Sequence, residues 1–288
     1  MRQSLPVWFK QRVPRAGEDS GADALIKGLE LHTICESGHC PNVPQCFPGG
    51  AAFLILGNTC TRNCSFCAVS TGLPHPPDPD EPANIVEAAR RLKIDYVFIT
   101  SVTRDDMPDG GAGHFAHTIK LIHQELPGVG VEVLVPDFKG NYSAIKVVVQ
   151  ARPEVMGHNI ETIQRLYPQV RPMADYQRSL DVLHQSKVFD PSTITKSGIM
   201  LGLGETDNEV VEVMRDLRQV DCDLLTLGQY LAPSRQNYPV MNFPTPQEFA
   251  DYIPIGIEMG FKGVASAPLM RSSFKANELY RKAFLDNK

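Results

Sequence analysis

The sequence is short of positive charge. Its 28 Lys and Arg are outnumbered by 33 Asp and Glu, a formal net charge of −5, which gives no support to a nucleic-acid-binding surface. It also lacks any apolar run approaching the roughly 18 residues of a membrane span. The opening MRQSLPVWFK holds no signal-peptide core. These absences lead us to expect a soluble, cytoplasmic protein that binds neither nucleic acid nor membrane. One local basic spot, Lys10, Arg12 and Arg15, reads either as a solvated tail or as a patch for an acidic partner. The eight histidines show no pairing of the kind that holds a metal. Cysteine is sparse as well, seven in 288 residues, and in a reducing compartment clustered thiols read as metal ligands or redox groups before disulfides.

The few cysteines are gathered. Cys35, Cys40 and Cys46 fall in CESGHCPNVPQC, and Cys60, Cys64 and Cys67 in CTRNCSFC. Cys222 stands apart between Asp221 and Asp223 and reads as a structural thiol.

Residues 1–50 are rich in Pro and Gly, with one helical pattern, ADALIKGLELHTI, and are read as an N-terminal extension across the main body. From residue 51 apolar runs alternate with helical spacing. The runs are AAFLILG (51–57), DYVFITS (95–101), VEVLVP (131–136), EVMGHN (154–159), ITKSGIMLG (194–202) and DLLTLGQYL (223–231), giving six strand–helix units. Asp207 is a candidate cap for the helix DNEVVEVMRDLRQV. KGVASAPL adds a short final strand, and SFKANELYRKAF a last helix.

Continuous apolar strands between amphipathic helices predict a parallel sheet covered on its outside. The fold class is α/β, a partial (β/α)6 TIM-type barrel over residues 51–260 with a C-terminal extension over 261–288. An open doubly wound sheet shows the same alternation, and two small domains would fit the length. In either sheet fold the loops after the strands line the site, and the first such loop holds Cys60, Cys64 and Cys67.

CTRNCSFC is a CxxxCxxC pattern, which lets three thiolates converge on one compact metal centre. Structural zinc takes four ligands, commonly in CxxC pairs, and the second pair is missing. A cubane 4Fe–4S cluster on three thiolates keeps one iron open to a small molecule. Zinc and a redox thiol set are the alternatives. Cys35, Cys40 and Cys46 are spaced too widely to share that cluster, and no His or Cys pair nearby completes a zinc site, so a second cluster is the economical answer.

The triplet, with Phe66 before its last cysteine and a strand before the loop, resembles the radical S-adenosylmethionine enzymes. That resemblance implies a 4Fe–4S cluster on Cys60, Cys64 and Cys67 whose open iron takes the methionine moiety of S-adenosylmethionine, and whose electron frees a 5′-deoxyadenosyl radical. It places Phe66 beside the cofactor. It would have Asp109, Gly110 and Gly111, in SVTRDDMPDGGAG, offer carbonyls to the methionine amine, unless they form a tight turn. Asn159 and Glu161 in GHNIET would meet the ribose hydroxyls, unless they cap the next helix. GIMLGLGE resembles the family's adenine-side strand.

LHTICESGHCPN, CTRNCSFC and RSSF (271–274) together resemble the lipoyl synthase family. The likeness runs from PVWFKQRVP through TSVTRDDMPDGGA, GHNIET and KSGIMLGLGET to the terminal helix. It implies an auxiliary 4Fe–4S cluster on Cys35, Cys40 and Cys46, with Ser273 as fourth ligand. A serine oxygen binds well only as an alkoxide, from a hydroxyl far less acidic than a thiol, so the iron it holds should be the most easily lost. Arg271 would support the centre, unless it is salt-bridged at the surface.

The implied reaction inserts two sulfur atoms at C6 and C8 of an octanoyl chain amide-linked to a carrier lysine. The carrier would be an octanoylated lipoyl domain or the glycine-cleavage H protein. Two molecules of S-adenosylmethionine would be used per product, with the auxiliary cluster as sulfur donor and ferredoxin or flavodoxin as electron donor. The leading and trailing segments should then meet over the barrel mouth. Asn58 stands where many relatives carry Asp, which leaves every ligand in place. Rival readings are another sulfur inserter of the superfamily, a two-cluster electron carrier and a zinc-dependent binding module; an enzyme acting on tRNA would want a basic domain that is not visible here.

Overall fold

Apolar, β-branched runs become the strands of this fold. The computed structural model describes residues 5–10, 21–46 and 52–286; Arg12 and Arg15 of the basic spot lie outside the described residues. Ten strands occur there: β1 (His32–Thr33), β2 (Ala52–Ile55), β3 (Thr59–Cys60), β4 (Ser70–Thr71), β5 (Tyr96–Ser101), β6 (Gly130–Leu134), β7 (Val155–Gly157), β8 (Ile194–Leu201), β9 (Leu224–Gln229) and β10 (Gly263–Ser266). Eight form one sheet in the order β1-β2-β5-β6-β7-β8-β9-β10, while β3 and β4 pair separately.

From β2 to β10 every neighbouring pair is parallel. Each strand is laid beside its predecessor, always on the same side. A doubly wound sheet would reverse its order at a switch point. None occurs, so the doubly wound alternative falls and the partial barrel stands, with β10 after the six units.

Helices cover the outside. Glu81–Leu92, Ala112–Glu125 and Tyr142–Gln150 pack over the first half of the sheet, and Tyr176–Phe189, Asp207–Gln219 and Pro246–Glu258 over the second. Phe53, Ile55, Ile99, Val133, Leu225 and Leu227 are fully buried. Each such side chain contributes about 2 kcal/mol relative to exposure, so the sheet is held chiefly by its outer apolar layer. Among the described residues no helix is long and apolar enough to cross a membrane.

Two local expectations are corrected. The helical pattern ADALIKGLELHTI is helical over Ala22–Gly28 and again only at its last residue, Ile34, which opens the short helix Ile34–Ser37. Glu30 then turns left-handed at φ 54°, and His32 and Thr33 pair antiparallel with Leu54 and Phe53 of β2. Sheet pairing overrides the continuing apolar periodicity. The cap of helix Asp207–Gln219 is Thr206 rather than Asp207: its hydroxyl accepts from the Glu209 amide at 3.4 Å, and the Glu209 carboxylate accepts from the Thr206 amide at 2.9 Å. This capping box satisfies two amides that the helix leaves unpaired, while Asp207 accepts from the Tyr252 hydroxyl at 2.8 Å. Thr206→Ala should lower stability by about 1 kcal/mol, read as a lower urea midpoint with an unchanged slope.

Candidate active site

A cavity of about 500 Å3 opens at the C-terminal ends of the parallel strands, where such folds place their chemistry. Its wall draws on three parts of the chain: Cys35 and Cys40 from the leading segment, Cys60, Cys64, Phe66 and Cys67 from the loop after β2, and Met270 to Ser273 from the trailing segment. Asn159, Glu161 and Arg171 complete its polar side. The two ends of the chain are joined directly, since the fully buried Asn42 donates through Nδ2 to the Leu269 carbonyl at 2.6 Å.

The cysteine loop is held at both ends and in the middle. The β3–β4 ladder staples its base, pairing Thr59 with Ser70 and Cys60 with Thr71. The Ser65 amide donates to the Val170 carbonyl at 3.0 Å, and Asn237 donates to the carbonyls of Ser65 (3.1 Å) and Cys67 (2.9 Å).

Arg62, between the first two cysteines, is buried and grips two carboxylates. Its guanidinium meets Asp105 at 2.7 and 2.9 Å and Asp137 at 3.0 and 2.6 Å. Those aspartates follow β5 and β6, so one side chain ties the loop to two strand ends. Burial works to raise the Asp137 carboxyl, yet the hydrogen bonds and charge of Arg62 outweigh it and hold that group below its ordinary value.

Cys35, Cys46, Cys64 and Cys67 resist ionisation here. Burial pushes Cys67 up to about 11, and the nearby Cys64 and Cys60 add to it. Burial also raises Cys64, against the pull of Arg171. In the leading segment burial and the charge of Cys40 raise Cys35, while burial, then Cys35 and Cys40, push Cys46 up to about 12. Cys35, Cys40 and Cys46 therefore lie within electrostatic reach of one another, as do Cys60, Cys64 and Cys67, and Cys35, Cys46, Cys64 and Cys67 ionise readily only beside a cationic centre. Backbone amides already aim at two sulfurs: Cys60 receives Arg62 (3.4 Å) and Thr103 (3.3 Å), and Cys67 receives Val69 (3.4 Å). Such N–H···S contacts suit cluster thiolates.

Among the described residues no three His, Cys, Asp or Glu side chains close to the spacing of one bound ion. Thiols around a cubane stand further apart, because each takes a different iron. The all-thiol donor set of the loop, with backbone N–H groups on Cys60 and Cys67, suits an iron–sulfur cluster.

Other predicted residues divide. Asn159 and Glu161 line the cavity and bond to each other at 3.1 Å. Neither caps the following turn, Gln164–Leu166, which has no side-chain cap. Arg271 lies in the wall, donates to the Met270 carbonyl at 2.7 Å and forms no ion pair among the described residues. Burial pulls its guanidinium down, against Cys40 and Glu161. Cys46 is not part of the wall, although it feels Cys35 and Cys40. Asp109, Gly110 and Gly111 are not brought to the cavity. The Asp109 carboxylate accepts from the amides of Gly111 (3.0 Å) and Gly113 (2.8 Å), and Gly111 turns at φ 89° hard against the Leu56 side chain.

Sequence reasoning missed Arg62 and its aspartates. It also missed Arg171, whose Nη1 donates to the Asn159 and Ile160 carbonyls at 3.0 and 3.2 Å, and His158, which burial pulls down to about 4 and so keeps neutral at pH 7. An arginine set between candidate ligands was a signal in itself.

The comparisons agree with this geometry. The sequence model of the radical SAM superfamily matches residues 54–217. A lipoyl synthase from Caldanaerobacter subterraneus subsp. tengcongensis is 55% identical over 274 residues, covering 94% of this chain and 95% of that one. The chain belongs to the lipoyl synthase family. The lipoyl synthase of Rubrobacter xylanophilus is 51% identical over 278 residues, covering 96% and 87% of the two chains. The crystal structure of HydG, a maturase of the FeFe-hydrogenase, shares the fold with a TM-score of 0.59 at 15% identity, covering 80% of this chain and 54% of that one. As a lipoyl synthase family member the chain is a radical SAM enzyme, and one 4Fe–4S cluster and S-adenosylmethionine go with that membership.

The Arg62 clamp carries a pH signature. Asp137 has a lowered folded pKa, so its contribution is present above the ordinary carboxyl value of about 4 and is lost as pH falls below it. Asp137→Asn should cost roughly 2–3 kcal/mol at pH 7 and flatten the fall in stability below about pH 4, measured by urea unfolding across that range.

Proposed function

We propose that this chain inserts two sulfur atoms, at C6 and C8, into an octanoyl chain carried on a lysine of a partner protein, completing the lipoyl cofactor. The reading is carried by one observation: Cys60, Cys64 and Cys67 line the same cavity as Cys35, Cys40 and Ser273. When bound, a cluster on the first trio with S-adenosylmethionine supplies a 5′-deoxyadenosyl radical, and a second 4Fe–4S cluster supplies sulfide, two molecules of S-adenosylmethionine serving each product.

The chain's own residues hold, orient and exclude. Cys35, Cys40, Cys46 and Ser273 hold the second cluster, with Ser273 making its weakest bond. Asn159 and Glu161 take ribose hydroxyls, and Arg271 steadies the auxiliary side with its charge. Phe66 packs beside the nucleoside. The apolar wall, which includes Ile34, Leu54, Phe98, Val102, Leu134 and Ile199, suits an alkyl chain and keeps water from the reacting carbon. An unactivated methylene has no proton that a side chain can remove, so position is the protein's contribution. Residues 1–50 and 261–288 act as extensions that bring auxiliary ligands to the barrel of residues 51–260. The carrier is an octanoylated lipoyl domain or glycine-cleavage H protein, the electron donor a ferredoxin or flavodoxin, and the setting the cytoplasm.

Anaerobic reconstitution should yield about eight iron atoms per chain; a count near four would remove the second cluster. With an octanoyl-lysyl peptide the loaded chain should release 5′-deoxyadenosine and thiolated peptide, and deoxyadenosine without sulfur transfer would refute the lipoyl reading. Ser273→Cys should keep the auxiliary centre and slow sulfur release, measured as thiolated peptide per chain; full turnover would contradict the weak-ligand argument.

A further inference from the structure

A lysine is an awkward residue for the middle of a buried strand. Lys196 in β8 is only 2% exposed, as is the side chain of its ion-pair partner Glu132 in β6, 2.6 Å away. The Tyr96 hydroxyl of β5 donates to the other Glu132 oxygen at 2.9 Å. Taking two charges out of water costs about as much as their pairing returns, and apolar residues of similar size would hold the barrel equally well. What apolar packing lacks is direction. The Lys196 ammonium has a second partner, the Ser272 carbonyl at 2.8 Å.

The trailing segment is seated on this anchor. A Cβ on Gly198 of β8 would stand 2.9 Å from the Ser272 Oγ and 2.8 Å from the Asn159 Oδ1, and one on Gly228 of β9 would collide with the Met270 carbonyl. Two bare strand positions therefore form a cradle that admits residues 270–272. Within it the Ser272 hydroxyl donates to Asn159 at 3.0 Å. Beyond it, Tyr280 of helix Ala276–Phe284 stacks on Tyr96 with ring centres 5.9 Å apart, so the same network meets both flanks of Ser273. The Ser272 carbonyl belongs to the peptide plane that leads into Ser273. That plane is rigid, and fixing its oxygen fixes the direction in which Ser273 leaves.

We propose that Lys196 is a positioning residue for Ser273: paired with Glu132, it holds the Ser272 carbonyl and so keeps the Ser273 hydroxyl in the wall shared with Cys35 and Cys40. This rests on the reading of Ser273 as a cluster ligand. The lysine touches no reacting atom and acts through the peptide alone.

The test uses the full chain carrying Cys60, Cys64 and Cys67→Ala, which leaves the auxiliary centre as the proposed iron site. Into it goes K196M/E132Q, which removes both buried charges together and leaves an amide acceptor for Tyr96. Tyr96→Phe, a milder lesion in the same network, is measured alongside. Readouts are the circular dichroism melting curve, the rate of iron release to the chelator bathophenanthroline, and electron paramagnetic resonance of the reconstituted centre. The parent chain should hold about four iron atoms and be silent. K196M/E132Q should remain folded, lose its first iron roughly tenfold faster and show, in parallel mode, the integer-spin resonance of the 3Fe–4S centre left when Fe2+ departs from the silent 4Fe–4S core. A folded K196M/E132Q with an unchanged, silent four-iron centre overturns the proposal; if that variant does not fold, an unchanged release rate in Tyr96→Phe does so. A parent chain without iron overturns both this proposal and the second-cluster reading, whereas a sound parent with insensitive variants overturns this one alone.

Discussion

Cys35, Cys64 and Cys67, three of the thiols that line the cavity, do not ionise readily unless positive charge arrives with them. Burial raises Cys35, Cys64 and Cys67, and the neighbours within each trio raise them further. Protein cations help only in part. Arg171 pulls on Cys64, while Arg271, near Cys40, is itself weakened by burial. The 4Fe–4S cluster that goes with family membership brings such charge with it. The scaffold supplies position. Arg62 with Asp105 and Asp137, the short ladder of β3 and β4, and Asn237 hold the loop by contacts that involve no sulfur.

The second requirement is that distant parts of the chain arrive together. Asn42 and Leu269 are 227 positions apart yet hydrogen-bonded, and Lys196 reaches Ser272 across 76. The barrel strands pair with sequential neighbours and make a rim on which both segments rest. Asn159 then touches both sides: it bonds Glu161 within the barrel and accepts from Ser272 of the trailing segment. A disturbance of one segment therefore reaches the other through a few named hydrogen bonds.

What could be read from the sequence was whatever is local or periodic. Strands buried on both faces print as unbroken apolar runs, and all six emerged near the read positions. The cysteine trios announced themselves by spacing. Thr206 with Glu209 three places on was also legible, but Asp207 beside it drew the assignment. Leu29 and Leu31 continue the helical rhythm of Ala22–Gly28, and only the pairing of His32 and Thr33 with β2 decides against a single helix through ADALIKGLELHTI. The Arg62 clamp joins residues 43 and 75 positions apart, which no local pattern encodes. Lys196 was a partial signal. A charge inside ITKSGIML demands a partner, yet nothing nearby in sequence points to Glu132. Asp109, Gly110 and Gly111 show the reverse, since a Gly-rich stretch serves equally as a ligand loop or as a turn, and here its carboxylate is spent on amides of its own helix start.

A barrel left open has two rims, and unpaired strand rims invite other chains to add to them. Here β1 offers only His32 and Thr33 and β10 only Gly263 to Ser266. Incomplete closure therefore leaves little template for sheet growth between molecules.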